Sequence, residues 1–126
     1  MAIGEKSGRR VLVVDDDELV CSTLTRILAL DGHASEVVSG GSKALAALEL
    51  GTFDLVITDY EMPNMKGDQL AAEIRARLPT QPIVILTAYR EKLKSSGRPV
   101  AADLVLGKPF DLLEFRQAIN KLLKVG

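Results

Sequence analysis

The sequence has one cysteine, one histidine, no tryptophan and no apolar stretch approaching a bilayer span. A single thiol, Cys21, excludes an internal disulfide, and neither a zinc cluster nor a Cys-His pair can be assembled. Without an apolar run of roughly 18 residues, no membrane-spanning helix is expected. The first ten residues carry charge and glycine but no apolar segment of the secretory kind, which makes the cytoplasm the default location. Net charge is −1, so nothing marks a nucleic-acid surface. Repeats and low-complexity tracts are also missing.

What is present is a normal globular balance, 47% hydrophobic and 26% charged, over 126 residues, enough for one core and too few for two. Residues 1–9 read as a flexible leader or linker end and residues 10–124 as the folded unit. Short apolar runs alternate with helical periodicity. Strands are predicted over 11–14, 34–38 (weak), 53–58, 83–86 and 104–106. Helices are predicted over 18–30, 43–50, from near Gly67 to 78, around 90–94, and over 112–123. Leu19, Val20, Leu24, Ile27 and Leu28 supply the apolar side of the first helix, with Cys21 among them as a packed small hydrophobe. Leu112, Phe115, Ile119, Leu122 and Leu123 do the same for the last. Asp17 and Asp111 are expected helix N-caps, the latter with Glu114 as in a capping box. His33, in the turn after the first helix, reads as an exposed turn residue.

A βαβαβαβαβα order argues α/β architecture: a doubly wound five-stranded parallel sheet with helices on both faces. Right-handed crossovers leave strand order 2-1-3-4-5 as a fit, with strands one, three and four central. Such sheets bind ligands at the carboxyl edge of their strands. There the sequence offers Asp15, Asp16 and Asp17 after strand one, Asp59 after strand three, Thr87 after strand four and Lys108 after strand five. Gathered carboxylates repel one another without a cation, and an oxygen-rich cluster suits Mg²⁺. A carboxylate beside metal and amine can serve as a phosphoryl acceptor. Read singly, the three acids are equally an acidic helix start, Thr87 a turn former, and Lys108 solvated surface.

Taken together, Val-Leu-Val-Val-Asp-Asp at 11–16, Asp-Leu-Val-Ile-Thr-Asp at 54–59, Met-Pro-Asn-Met-Lys-Gly at 62–67, Leu-Thr-Ala at 86–88 and Lys-Pro-Phe at 108–110 resemble the receiver domain of two-component response regulators. The resemblance runs from Arg10 to Leu123 and implies a flavodoxin-like, chemotaxis-regulator-like fold. It implies Asp59 as phosphoacceptor, and Mg²⁺ held by Asp15, Asp16, Asp59 and the backbone carbonyl of Glu61. It further implies Thr87 as switch hydroxyl, Lys108 as the amine pairing with the phosphoryl group, and a cis peptide between Lys108 and Pro109. A histidine kinase or histidine phosphotransfer protein is the implied donor. The reader of the switched surface, built from helix four, strand five and helix five, is a downstream protein or an output domain outside these residues. Many relatives dimerise through that face, so the resemblance admits a homodimer. No direct nucleic-acid contact is implied.

Strand five and helix four depart from the family pattern. Strand five usually carries an aromatic residue three before the lysine, where this chain has Val105, whose single torsion allows no comparable swing. Tyr89, two residues after Thr87, is an exposed rim aromatic or a substitute gate. Residues 95–99, with Gly97 and Pro99, are expected to cut helix four short. Alternatives to the switch are a Mg²⁺-dependent phosphohydrolase working through an aspartyl phosphate, with Glu61 as its acid, and a receiver-fold scaffold that is not phosphorylated. A receiver would be a signalling switch with slow self-phosphorylating and self-dephosphorylating character rather than a conventional enzyme.

Overall fold

The apolar runs become the five parallel strands of one sheet. A computed structural model describes residues 8–97 and 100–124; residues 1–7 of the expected leader, and Arg98 and Pro99 after helix four, lie outside the described residues. In chain order the elements are β1 (Arg10–Val14), α1 (Glu18–Leu30), β2 (Ala34–Val38), α2 (Gly41–Leu50), β3 (Leu55–Asp59), α3 (Gly67–Arg77), β4 (Ile83–Thr87), α4 (Arg90–Ser95), β5 (Leu104–Gly107) and α5 (Leu112–Leu123). The strand order is β2-β1-β3-β4-β5, all pairs parallel, as expected.

Successive strand residues point to opposite faces, and both faces are covered. Val11, Val13, Leu55, Ile57, Val84 and Leu86 pack with Cys21, Leu24, Ile27 and Leu28 of α1 and with Phe115, Ile119 and Leu123 of α5. Leu12, Val14, Val56, Ile83 and Ile85 pack on the other side with Ala44 of α2, Leu70, Ala71 and Ile74 of α3, and Leu93 of α4. Burial on two faces is why β1, β3 and β4 read as unbroken apolar runs rather than alternating ones. The edge strands differ: β5 is half-buried throughout and β2 is mostly exposed.

Local chemistry sets the element ends. Asp17 Oδ1 accepts from Leu19 N at 2.9 Å and Val20 N at 3.3 Å, and Asp111 Oδ2 from Glu114 N at 2.9 Å. β3 starts two residues later than its apolar run. Asp54 instead exchanges bonds with Arg10, its carboxylate taking the Arg10 N–H at 2.8 Å, while the Arg10 guanidinium lies 4.6 Å over the Phe53 ring. α2 begins at Gly41, ahead of the expected 43. α4 is a 6-residue helix, short as its sequence implied.

Three expectations about side chains are corrected. Leu19 is exposed (75%): five residues before Leu24, it is turned about 140° away from the buried stripe. Leu112 is 47% exposed, while the Phe110 and Phe115 rings, stacked at 4.7 Å, pack on the core at that end. His33 is buried at 5% rather than exposed. Its Nδ1 accepts the Arg9 N–H at 3.3 Å, which leaves Nε2–H to donate to Asn120 Oδ1 at 2.8 Å. Asn120 in turn donates to Asp31, which also receives Arg116 through Nε at 3.1 Å and Nη2 at 2.6 Å. The Arg116 bond holds the Asp31 carboxyl below its ordinary 3.8. This network ties the entry to β1 and the α1–β2 turn to α5, on a side of the fold that a lone histidine in a sequence does not reveal.

One glycine fixes the loop under the sheet's carboxyl edge. A Cβ at Gly67 would lie 2.5 Å from Asp59 O and 2.8 Å from Tyr60 Cα. Both neighbours are backbone and cannot rotate away. Gly67→Ala is expected to lower stability by about 2–3 kcal/mol, read as a fall in the urea midpoint at unchanged slope.

Candidate functional site

The register puts the chemistry in one row. Val14 lies beside Thr58, Asp59 beside Leu86 and Thr87 beside Gly107, so the next residues along β1, β3, β4 and β5 meet at one edge. Asp15 N donates to Val38 O at 3.1 Å, Tyr60 N to Leu86 O at 2.8 Å and Lys108 N to Thr87 O at 2.9 Å. These backbone bonds carry the parallel ladder past the strands and hold the functional residues on it.

Asp15, Asp16 and Asp59 come together as the edge argument expects. One carboxylate oxygen from each lies within 4.8 Å of the others; Asp15 and Asp59 are buried and Asp16 is exposed. Asp15 Oδ1 accepts the Asp17 N–H at 3.0 Å, whereas Asp15 Oδ2 is buried with no hydrogen-bond partner. A buried, unsatisfied carboxylate oxygen facing two further carboxylates is a costly arrangement without a cation. All-oxygen donors, one exposed and open to water, match the preference of Mg²⁺ for few protein ligands and several waters. The acidic cluster therefore fits a Mg²⁺ site.

Lys108 supplies the opposing charge. Its Nζ donates to Asp59 Oδ1 at 2.6 Å and stands 3.8 Å from Asp15 Oδ2. The Lys108–Pro109 peptide is cis. Asp59 is raised from 3.8 to about 6: burial is the largest cause and the neighbouring Asp15 and Glu61 charges add to it, while the Lys108 bond works against it. Burial raises Asp15 too, against the Asp17 N–H. For Lys108 burial acts downward, but the bond to Asp59 and the surrounding carboxylates outweigh it and raise the amine.

Thr87 is buried and its hydroxyl is fully engaged: Oγ1 donates to Glu61 Oε2 at 2.5 Å and accepts the Tyr89 N–H at 3.0 Å. The first of these was not legible in the chain. Glu61 stands out there only by its place two residues after Asp59, and no spacing rule joins it to a residue 26 positions away. Tyr89 is 58% exposed, with the Lys92 ammonium 5.9 Å from its ring centroid, and lines an open groove with Tyr60, Lys92, Leu93 and Ser96. Val105, beside Ile85 in the sheet, packs against the α3-side core and not at the row of functional groups.

This sheet and acid-lysine row define a class, and the family model for the response regulator receiver domain matches residues 11–120. The chain belongs to that family, the receivers of two-component phosphorelays. It is 33% identical over 126 residues, 99% of this chain and 50% of the relative, to the transcriptional regulatory protein TcrA of Mycobacterium tuberculosis. The chain spans about half the length of that relative, and 22% of the response regulator FleR of Pseudomonas aeruginosa. Among solved structures it is similar to the response regulator TrrA of Thermotoga maritima in complex with Mg²⁺-BeF, at 35% identity and TM-score 0.84, covering 90% of this chain and 98% of that one. TrrA in complex with the histidine kinase ThkA matches at 35% identity and TM-score 0.78, over 91% and 98% of the two chains. Among the described residues no helix is long and apolar enough to cross a membrane.

The Asp59 shift has a direct consequence. A carboxyl with a raised folded-state value binds more protons folded than unfolded between about 4 and about 6. Its contribution to stability is present below that window and is lost as pH rises through it. In metal-free buffer, Asp59→Asn is expected to equal the native protein near pH 4 and to exceed it at pH 7 by on the order of 2 kcal/mol. Urea unfolding of both proteins across that range reads the difference.

Proposed function

We propose that residues 10–124 act as a phosphoacceptor switch, with Asp59 the residue that is phosphorylated. The observation that carries this reading is the Lys108 ammonium set 2.6 Å from an Asp59 carboxylate that is buried beside Asp15 and Asp16. An Asp59 oxygen attacks phosphorus and forms the new O–P bond. The bond from phosphorus to the donor nitrogen of a phosphohistidine, or to the acyl oxygen of a small phosphodonor, breaks and takes its electron pair with it. Lys108 is already within reach of the acceptor and pairs with the transferred group as a point charge. Asp15, Asp16, Asp59 and the Glu61 backbone carbonyl would hold Mg²⁺, which when bound neutralises charge on the phosphoryl oxygens. Water attack on the same phosphorus forms a new O–P bond, breaks the bond to the Asp59 oxygen, and releases inorganic phosphate and the free carboxylate.

TrrA, at 35% identity, is known in complex with a histidine kinase, which supports a histidine kinase or histidine phosphotransfer protein as donor. The downstream reader is a partner protein or an output domain outside these residues, addressed through α4, β5 and α5. Phosphorylation biases two pre-existing packings of that face. The Glu61 carboxylate is taken up by Thr87, which weighs against the hydrolase alternative, where it would serve as a free acid.

With Mg²⁺ and a small acyl phosphate, the protein is expected to gain one phosphoryl mass by intact mass spectrometry. Asp59→Asn and a chelator should each abolish the adduct, and Lys108→Met should slow it by about a hundredfold. Modification of Asp59→Asn at the native rate overturns the assignment.

A further inference from the structure

Thr87 carries one hydroxyl proton, and that proton is committed. It lies in a 2.5 Å bond to Glu61 Oε2, the length of a charge-assisted bond to a carboxylate. The remaining lone pairs of Oγ1 accept the Tyr89 N–H at 3.0 Å. Asp59 is in register with Leu86, the residue before Thr87, so a phosphoryl group on Asp59 would be a second anionic acceptor at the same sheet edge, and one proton cannot serve both. Glu61 is half-buried and Thr87 is fully buried, so water replaces the broken bond poorly. The Glu61 charge is also felt at Asp59, which places the two carboxylates in one electrostatic neighbourhood.

Resting on the phosphoacceptor reading, we infer that Glu61 is a positioning residue for Thr87: its carboxylate holds the hydroxyl in the unmodified arrangement and competes with a phosphoryl group on Asp59 for the same proton. The side chain of Glu61 thereby sets how far modification of Asp59 shifts the switch. The hold is transmitted through the backbone. The Tyr89 N–H is bonded to the Thr87 hydroxyl, and Thr87 O is bonded to Lys108 N at 2.9 Å. Release of the hydroxyl is therefore felt at the start of α4 and the end of β5 without any ring rotation in β5, where Val105 stands.

The test is a titration with beryllofluoride and excess Mg²⁺, followed by the amide resonances of Tyr89 and Gly107, on native protein, Glu61→Ala, Glu61→Gln, Thr87→Ala, Thr87→Ser and Glu61→Ala combined with each Thr87 variant. Glu61→Ala should bind beryllofluoride about five- to thirtyfold more tightly than native. Glu61→Gln keeps an acceptor oxygen and should gain less. In the Thr87→Ala background, removal of Glu61 should change affinity less than about twofold, while Thr87→Ser, which keeps the hydroxyl, should restore the coupling. The Tyr89 amide of unliganded Glu61→Ala should also move toward its beryllofluoride-bound position. An effect of Glu61→Ala that is equal with and without the hydroxyl means that Glu61 acts by charge alone, and overturns the inference. No gain, or a loss, on Glu61→Ala does so too. Native protein that binds no beryllofluoride overturns the phosphoacceptor reading itself.

Discussion

The carboxyl edge of the sheet holds more negative charge than it can neutralise, and the rest of the molecule is arranged around that excess. Asp15 and Asp59 are buried, Asp16 stands at the surface beside them, and Lys108 is the cation drawn in against them. One ammonium offsets one carboxylate well, through the 2.6 Å bond to Asp59, and leaves Asp15 Oδ2 buried without a hydrogen-bond partner. A folded chain tolerates such a site only where the surroundings impose it. Here two cores do so. The central strands β1, β3 and β4 are buried on both faces, and their backbone ladder continues through residues 15, 60 and 108. Burial and the neighbouring carboxylates raise Asp59, so the ionised site is costly at neutral pH and a cation would relieve it.

The two sides of the site differ in stiffness. Asp59 ends a strand buried along its whole length, and Asp15 follows one buried at all but its first residue, Arg10. Thr87 ends a strand that is equally buried, but what it touches next is not: α4 has six residues, Tyr89 is exposed and β5 is half-buried along its length. Asp15 and Asp59 thus sit on the rigid part, while the Thr87 hydroxyl borders the part with least packing to lose. Elements that move are drawn from the weakly packed end of a fold. That division fits a switch better than a hydrolase, whose acid would need to stand on the rigid part as well.

The fold and the gathering of polar groups at one edge were legible because both rest on rules that act locally. Unbroken apolar runs at 11–14 and 83–86 signal strands buried on two faces, and a parallel sheet then forces Asp15, Asp59, Thr87 and Lys108 to a common edge. Asp17 and Asp111 were legible as caps because capping depends on the next three residues only. What stayed hidden depends on contacts between distant segments. His33 looked like a turn residue because its partners, Arg9 and Asn120, come from the chain's start and from α5. Leu19 looked like core because its neighbours were apolar, although its angle on α1 turns it outward. The Glu61–Thr87 bond joins a loop to a strand end in another βα unit, and neither residue type announces it.

Val105 gains its meaning from that bond. A strand-five aromatic would couple the hydroxyl to the outer face by filling or vacating a space, a mechanism that needs volume. This chain has a half-buried valine packed against the α3-side core, with no ring to swing. The structure instead shows a run of hydrogen bonds, Glu61 to Thr87, Thr87 to the Tyr89 amide, and the Thr87 carbonyl to the Lys108 amide. Such bonds are worth little net while all are made and much more when one buried partner is left without its own. On the proposed reading, a switch built on them would be set by which acceptor holds a single proton, and its range would be limited by the difference in affinity between a carboxylate and a phosphoryl oxygen for that proton. That limit favours graded bias over all-or-none conversion.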